Sequence, residues 1–122
     1  MTLFRVEHKD VLLYALEQLA MFRKAVAIDE ISELLDREDE EIFLAAFKAI
    51  RLIDAKRSIS IVLPHLASDI AGKRIAAMET LGKMSVFRDW KKFLPNLEST
   101  DPKVRKSAVI NLVRIGKGRA NK

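Results

Sequence analysis

His65 and Asp69 stand four residues apart, the spacing of two ligands on one helical face, and Ser68 lies within a turn of the same histidine. Neither arrangement completes a site. A zinc centre takes three or four protein ligands, and the other histidine, His8, is far up the chain. A serine nucleophile needs a strained turn to present its hydroxyl and a base oriented by a third group. Gly72-Lys73-Arg74 and Gly82-Lys83-Met84 lack the preceding glycine and the following hydroxyl residue of a phosphate-binding loop, so they read as chance glycines. Asp29 and Glu33 sit in an acidic stretch with no apolar pocket to divide them into acid and base. With no cysteine, thiol nucleophiles, disulfides and thiolate metal sites are excluded together. The residue types predict no catalytic group, no cofactor and no metal, which leaves recognition.

Recognition surfaces need a frame, and the 122-residue chain supplies one by repeating itself every 31 residues. Steps of 31 back from Asp101 reach Ile70, Asp39 and His8. Seven residues after each start stands an alanine: Ala15, Ala46, Ala77 and Ala108. Eleven after stand Leu19, Ile50, Leu81 and Leu112; fourteen after, Phe22, Ile53, Met84 and Ile115. Steps of three and four keep one face apolar, which predicts a long helix in every copy, with the alanine where two helices cross.

The first such helix is expected over 9–22, and a shorter one over 26–36 buries Ile28, Ile31 and Leu35. Asp39 is placed to cap the next long helix, which runs to about Asp54. Ile59, Val62 and Leu66 then repeat the three inward positions, as do Trp90, Phe93 and Leu97. Phe87, Trp90 and Phe93 therefore read as a core stripe rather than a stacking platform. Leu63-Pro64-His65-Leu66 and Leu94-Pro95-Asn96-Leu97 put a proline inside two short helices, predicting a bend or a late start. Gly116 and Gly118 are expected to end the last helix and leave a basic tail at 119–122, while residues 1–7 extend or cover the first helix.

Asp101, Val104, Arg105, Ala108, Leu112, Ile115 and Gly116 resemble the first helix of the HEAT-like repeats, in the short form called phycobilisome-lyase HEAT-like. Arg74, Ala77, Leu81 and Gly82 match less fully, and Leu12 and Phe43 stand where the family has arginine. The resemblance implies an all-α fold, a right-handed α-solenoid of stacked antiparallel helix pairs in a single domain over 1–122. Its repeats fall at about 8–38, 39–69, 70–100 and, in part, 101–122, giving three full pairs and an additional first helix that lacks its mate. It also implies that the second helices line a concave surface and that Arg74 and Arg105 pair with an aspartate such as Asp101. Such repeats serve as scaffolds, enzyme accessories, bilin-attachment proteins and, in a distant branch, DNA-repair glycosylases.

Charge narrows the partner. Residues 1–54 carry 7 Lys/Arg and 12 Asp/Glu, giving −5, whereas residues 55–122 carry 15 and 5, giving +10. Opposite the inward stripe of the second helices lie Arg57 and Ile61 in one copy and Arg88 and Lys92 in the next. These four residues are expected to form a basic ridge for an acidic protein partner. Val104, Val109, Ile110 and Val113 put apolar atoms on several sides of the last helix, which predicts a cover such as a second copy. The expected function is a non-enzymatic protein-binding scaffold. Nucleic-acid binding by the basic half and an accessory subunit of a bilin-lyase kind are the alternatives. No membrane-spanning stretch and no secretory signal pattern appears, so the expected location is the cytoplasm.

Overall fold

The computed structural model describes residues 8–120, with side chains from His8 to Lys117, so residues 1–7 and 121–122 of the expected lead-in and tail lie outside the described residues. Among the described residues all regular structure is helical. The α-helices are α1 (Lys9–Met21), α2 (Ile28–Glu33), α3 (Glu40–Ile53), α4 (Ala55–Val62), α5 (Ala71–Gly82) and α6 (Pro102–Ala120). Tighter 3₁₀ turns flank α2 at Ala25–Ala27 and Leu34–Asp36, continue α4 over Leu63–Ala67, and make up all of Trp90–Glu98. The chain divides within α4 into two compact units, Met1–Ser58 and Ile59–Lys122.

In the first unit α3 packs on α1 and on α2 with its 3₁₀ end. Leu12 and Leu16 of α1, Ile28, Ile31 and Leu35 around α2, and Ala46 and Ile50 of α3 are at most 1% exposed. Phe43 and Phe47 meet edge to face at 6.5 Å. Asp39 caps α3 as expected, its Oδ1 accepting from the Ile42 N–H at 3.3 Å. Its other oxygen takes the Lys9 ammonium at 2.9 Å, and Glu41 takes the same ammonium at 2.8 Å, tying α1 to α3.

Those contacts set a pH dependence. The Lys9 hydrogen bond, more than the Ile42 N–H, holds the Asp39 carboxyl below its ordinary range, and Glu41 and then Asp39 push Lys9 up. A depressed carboxyl stabilises the fold above its unfolded pKa, about 4, and loses that contribution as pH falls through the folded value. Asp39→Asn keeps a cap but not the ion pair, whereas Asp39→Ala keeps neither. Melting temperatures at neutral pH should rank wild type above Asp39→Asn above Asp39→Ala, and wild type should approach the asparagine variant as pH falls from about 4 through the folded value. A gap that persists in acid would show that the ion pair contributes nothing.

Phe22 departs from expectation. Instead of completing the inward stripe it is 64% exposed. The cause is how α1 stops: Arg23 adopts φ 49°, with Lys24 N–H donating to Leu19 O at 3.1 Å and Arg23 N–H to Ala20 O at 3.1 Å. This left-handed stop leaves Met21 as the last helical residue and Phe22 at the C-cap, beyond the inward stripe. Ile53, its counterpart, is still helical and is buried.

In the second unit α5 packs on α6 and on the 3₁₀ turn after α4, and α6 packs on α5 and on Trp90–Glu98. Each short segment thus packs chiefly on the long helix that follows it, as α2 does on α3. The expected pairing is shifted by one helix, and α6 has a mate in the segment before it. The prolines act as expected and further, since α4 gives way to 3₁₀ at Leu63 and Trp90–Glu98 never becomes α. Three residues per turn bring Phe93 and Asn96 inward, at 0% and 5% exposure, while Leu97 is only half-buried. Asn96 Nδ2 donates to Leu66 O at 3.1 Å, joining the two proline tetrapeptides.

Arg74 and Arg105 are structural, but aspartate is not their partner. Arg74 Nη1 donates to Ser68 O at 2.6 Å and Arg105 Nη1 to Ser99 O at 2.7 Å. The same serines accept from Ile70 N–H and Asp101 N–H through Oγ, both at 3.1 Å. Asp101 is engaged in the first turn of α6, accepting from Lys103 N–H at 2.8 Å. The turn has claimed the carboxylate, and the guanidinium reaches back to the preceding carbonyl instead.

The last helix also outruns its expected end. α6 continues through Gly116 and Gly118 to Ala120. Neither glycine takes the left-handed conformation that ends a helix, and without it a glycine only weakens a helix, by about 1 kcal/mol relative to alanine.

Candidate functional site

Successive long helices leave a groove between them, and the same groove recurs in both units. In the first unit α1 and α3 border about 390 Å³, lined by Leu13, Glu17 and Met21 on one side and Ala45, Lys48 and Leu52 on the other. In the second, α5 and α6 border about 280 Å³, lined by Ile75 and Glu79 opposite Lys106, Ser107, Ile110 and Arg114. Ile75 and Glu79 stand two periods after Leu13 and Glu17, and Ser107 and Arg114 two periods after Ala45 and Leu52. The groove therefore belongs to the repeat.

Its chemistry differs between the units. The first groove is aliphatic, with one carboxylate and one ammonium. The second is basic, with Lys103, Lys106 and Arg114 around Ile75 and Ile110, and Glu79 the only acid in its lining. Neither lining contains histidine, cysteine or a pair of carboxylates. Among the described residues no cluster of three His, Cys, Asp or Glu is placed to hold a metal. Apolar side chains flanked by charge suit the side chains of an amphipathic segment.

The residues expected at the basic ridge lie elsewhere. Arg57 is exposed on α4, with Nη2 donating to Asp29 Oδ1 at 2.8 Å, so part of its charge is directed at a neighbour in its own unit. Such an exposed pair is worth about 0–1 kcal/mol and yields readily to a competing anion. Ile61 lies one turn further along α4 and is half-buried. Arg88 is exposed but precedes the helical segment, in the irregular link 87–89, where it lines a pocket of about 140 Å³ with Gly82, Phe87 and Arg114. Lys92 is exposed on Trp90–Glu98. Arg88 and Lys92 therefore do not occupy successive turns of one α-helix.

The aromatic cluster splits in two. Phe87 and Phe93 stack at 5.7 Å and are buried, as a core reading requires. Trp90 is half-buried, with the Lys91 ammonium 5.9 Å from its ring, and borders about 300 Å³ with Leu112, Ile115 and Gly116. His65 and Asp69 join no metal cluster.

The grooves had one sequence signal. Five residues after the first three starts stand Leu13, Leu44 and Ile75, aliphatic positions off the inward stripe, and Leu44 is 41% exposed. No protein-family model, curated protein or solved structure matches the chain. The HEAT-like resemblance accordingly rests on the repeat pattern alone. No helix among the described residues is long and apolar enough to cross a membrane.

Proposed function

We propose that the protein is a non-enzymatic interaction scaffold of HEAT-like kind, a cytoplasmic α-solenoid whose grooves between successive long helices receive an amphipathic segment of a protein partner. The observation that carries this reading is the recurrence of one groove at equivalent repeat positions. Aliphatic side chains of the partner would remove Leu13, Met21 and Leu52 from water, at about 25 cal/mol per Å² of apolar surface. The uneven charge of the chain would act on orientation and on-rate more than on affinity. Arg57, Ile61, Arg88 and Lys92 are proposed as a further contact for acidic side chains of the same partner.

A second reading is favoured by one feature: residues 102–117 hold five lysines and arginines and no acid. In that reading the basic half binds nucleic acid through phosphate contacts, with affinity falling steeply as salt rises.

The test compares the tagged full chain with a Leu13→Glu/Leu52→Glu variant in capture from a lysate of its source, with and without nuclease. A specific protein held through nuclease treatment by wild type and lost by the variant, at unchanged helical circular dichroism, supports the groove. Capture that survives the double change removes the groove from consideration, and capture abolished by nuclease replaces the scaffold reading with the nucleic-acid one.

A further inference from the structure

α1 and α6, the first and last long helices, each leave open a face that the repeat elsewhere closes. Where two long helices border a groove, the earlier one contributes positions eight and twelve after its repeat start, as Leu16 and Ala20 do on α1. Gly82, at position twelve of α5, likewise approaches α6. The later helix contributes positions six and ten, Ala45 and Ala49 on α3 and Ser107 and Asn111 on α6.

Position eight is occupied in turn by Leu16, Phe47, Met78 and Val109. The first three are at most 1% exposed and Val109 is 52%. Val113, at position twelve, is 50% exposed. α6 thus keeps aliphatic side chains on the face with which an earlier helix meets a later one. α1 shows the converse: Tyr14, at position six, is 64% exposed, and Val11, whose counterparts Ile42 and Val104 are buried, is 46%.

The two open faces carry opposite charge. One turn either side of Val109 and Val113 lie Lys106 and Lys117; one turn either side of Tyr14 lie Asp10 and Glu17, and all four are exposed. An acidic apolar helix face is the partner that the α6 face suits, and α1 offers one.

We propose that α6 of one copy docks on α1 of a second copy, head to tail, with Val109 and Val113 against Val11 and Tyr14 and with Lys106 and Lys117 opposite Asp10 and Glu17. Because two different faces meet, a dimer still has one face of each kind free, and association continues past it into rings or filaments. Tyr14 stands where the chain elsewhere has Ala45, Ala76 or Ser107, so the helices meet less closely than α5 and α6 do. The contact covers little more than one helix face, below the size of a stable interface, so it depends on concentration and weakens with salt. This inference does not rest on the groove reading, although Glu17 and Lys106 also line the two grooves.

Two variants of the full chain decide it by sedimentation over a range of concentrations at low salt. Val109→Glu removes the α6 face and Tyr14→Lys the α1 face, both at exposed positions, with circular dichroism checking the fold. Wild type should grow beyond a dimer with concentration, each variant alone should stay monomeric, and their equimolar mixture should form a dimer and nothing larger. Wild type that remains monomeric at every concentration, a Tyr14→Lys variant that still self-associates, or a mixture that stays monomeric would each overturn the proposal.

Discussion

Gly82→Ala should destabilise the second unit by roughly 3 kcal/mol. A Cβ at Gly82 would overlap Asn111 Oδ1 and lie 2.9 Å from its Cγ and 3.0 Å from its Cβ. Asn111 cannot withdraw cheaply. It is fully buried, its Nδ2 donates to Ser107 O at 2.9 Å and Ser107 Oγ at 3.2 Å, and its Oδ1 accepts from Arg114 Nη1 at 3.0 Å. Any shift that admits the methyl group breaks bonds that no water replaces. The better helix propensity of alanine offsets at most about 1 kcal/mol of this, and less at the last residue of α5. Glycine is needed here for room and not for an unusual backbone angle. Denaturant unfolding of Gly82→Ala, Asn111→Ala and the double variant measures the point directly. The double variant should recover much of the loss from Gly82→Ala, because truncating Asn111 vacates the space. A neutral Gly82→Ala, or additive effects, would mean that the two helices do not close over this position.

The long helices are legible because burial at a crossing is a volume constraint that repeats with the helices. Ala46, Ala77 and Ala108 are all 0% exposed, Ala15 is only half-buried, and Asp39 caps where an acid before an apolar stripe should. What escaped the reading depends on atoms that a periodic pattern does not mark. A period has no phase: 31-residue spacing says that short and long helices alternate, not whether each short one packs on the helix before it or after it. The partners of Arg74 and Arg105 are backbone carbonyls six residues upstream, and no side chain announces a carbonyl. Phe22 was decided by where Arg23 turns the chain, a choice made by a non-glycine residue at positive φ. The candidate site was harder still, since a groove belongs to two helices at once and its lining is polar in one unit and aliphatic in the other.

That difference bears on what the grooves discriminate. Leu13 and Leu52 of the first groove are replaced two periods later by Ile75 and Arg114. On the groove reading each groove would select by itself, the first for aliphatic side chains and the second for aliphatic side chains flanked by acids. Specificity of this kind comes as much from rejecting the wrong charge at Arg114 as from the apolar contacts.

Phe93→Ala should cost about 3–5 kcal/mol, the largest effect expected of a single truncation in the second unit. Phe93 is fully buried, and its ring stacks on Phe87 with an interplanar angle of 21°, an arrangement worth about 0.5–1.5 kcal/mol beyond area alone. The comparison with its neighbours tests the 3₁₀ geometry itself. If Trp90–Glu98 were α-helical, Leu97 would share the face of Phe93 as closely as Asn96 does. In the 3₁₀ form Asn96 shares that face and holds Leu66 O at 3.1 Å. Removing that donor leaves the carbonyl short of a partner at about 1–3 kcal/mol, whereas Leu97→Ala, at a half-buried position, should cost less than half as much as Phe93→Ala. Runs of nine 3₁₀ residues are uncommon because their hydrogen bonds are poorly aligned, so this one must be held from outside. The Pro95 ring would clash with the carbonyl four residues back in an α-helix, and Asn96 anchors the segment across 30 residues. The expected order of destabilisation is Phe93, then Asn96, then Leu97. An order in which Leu97 ranks beside Phe93 would show that the segment is α-helical in solution.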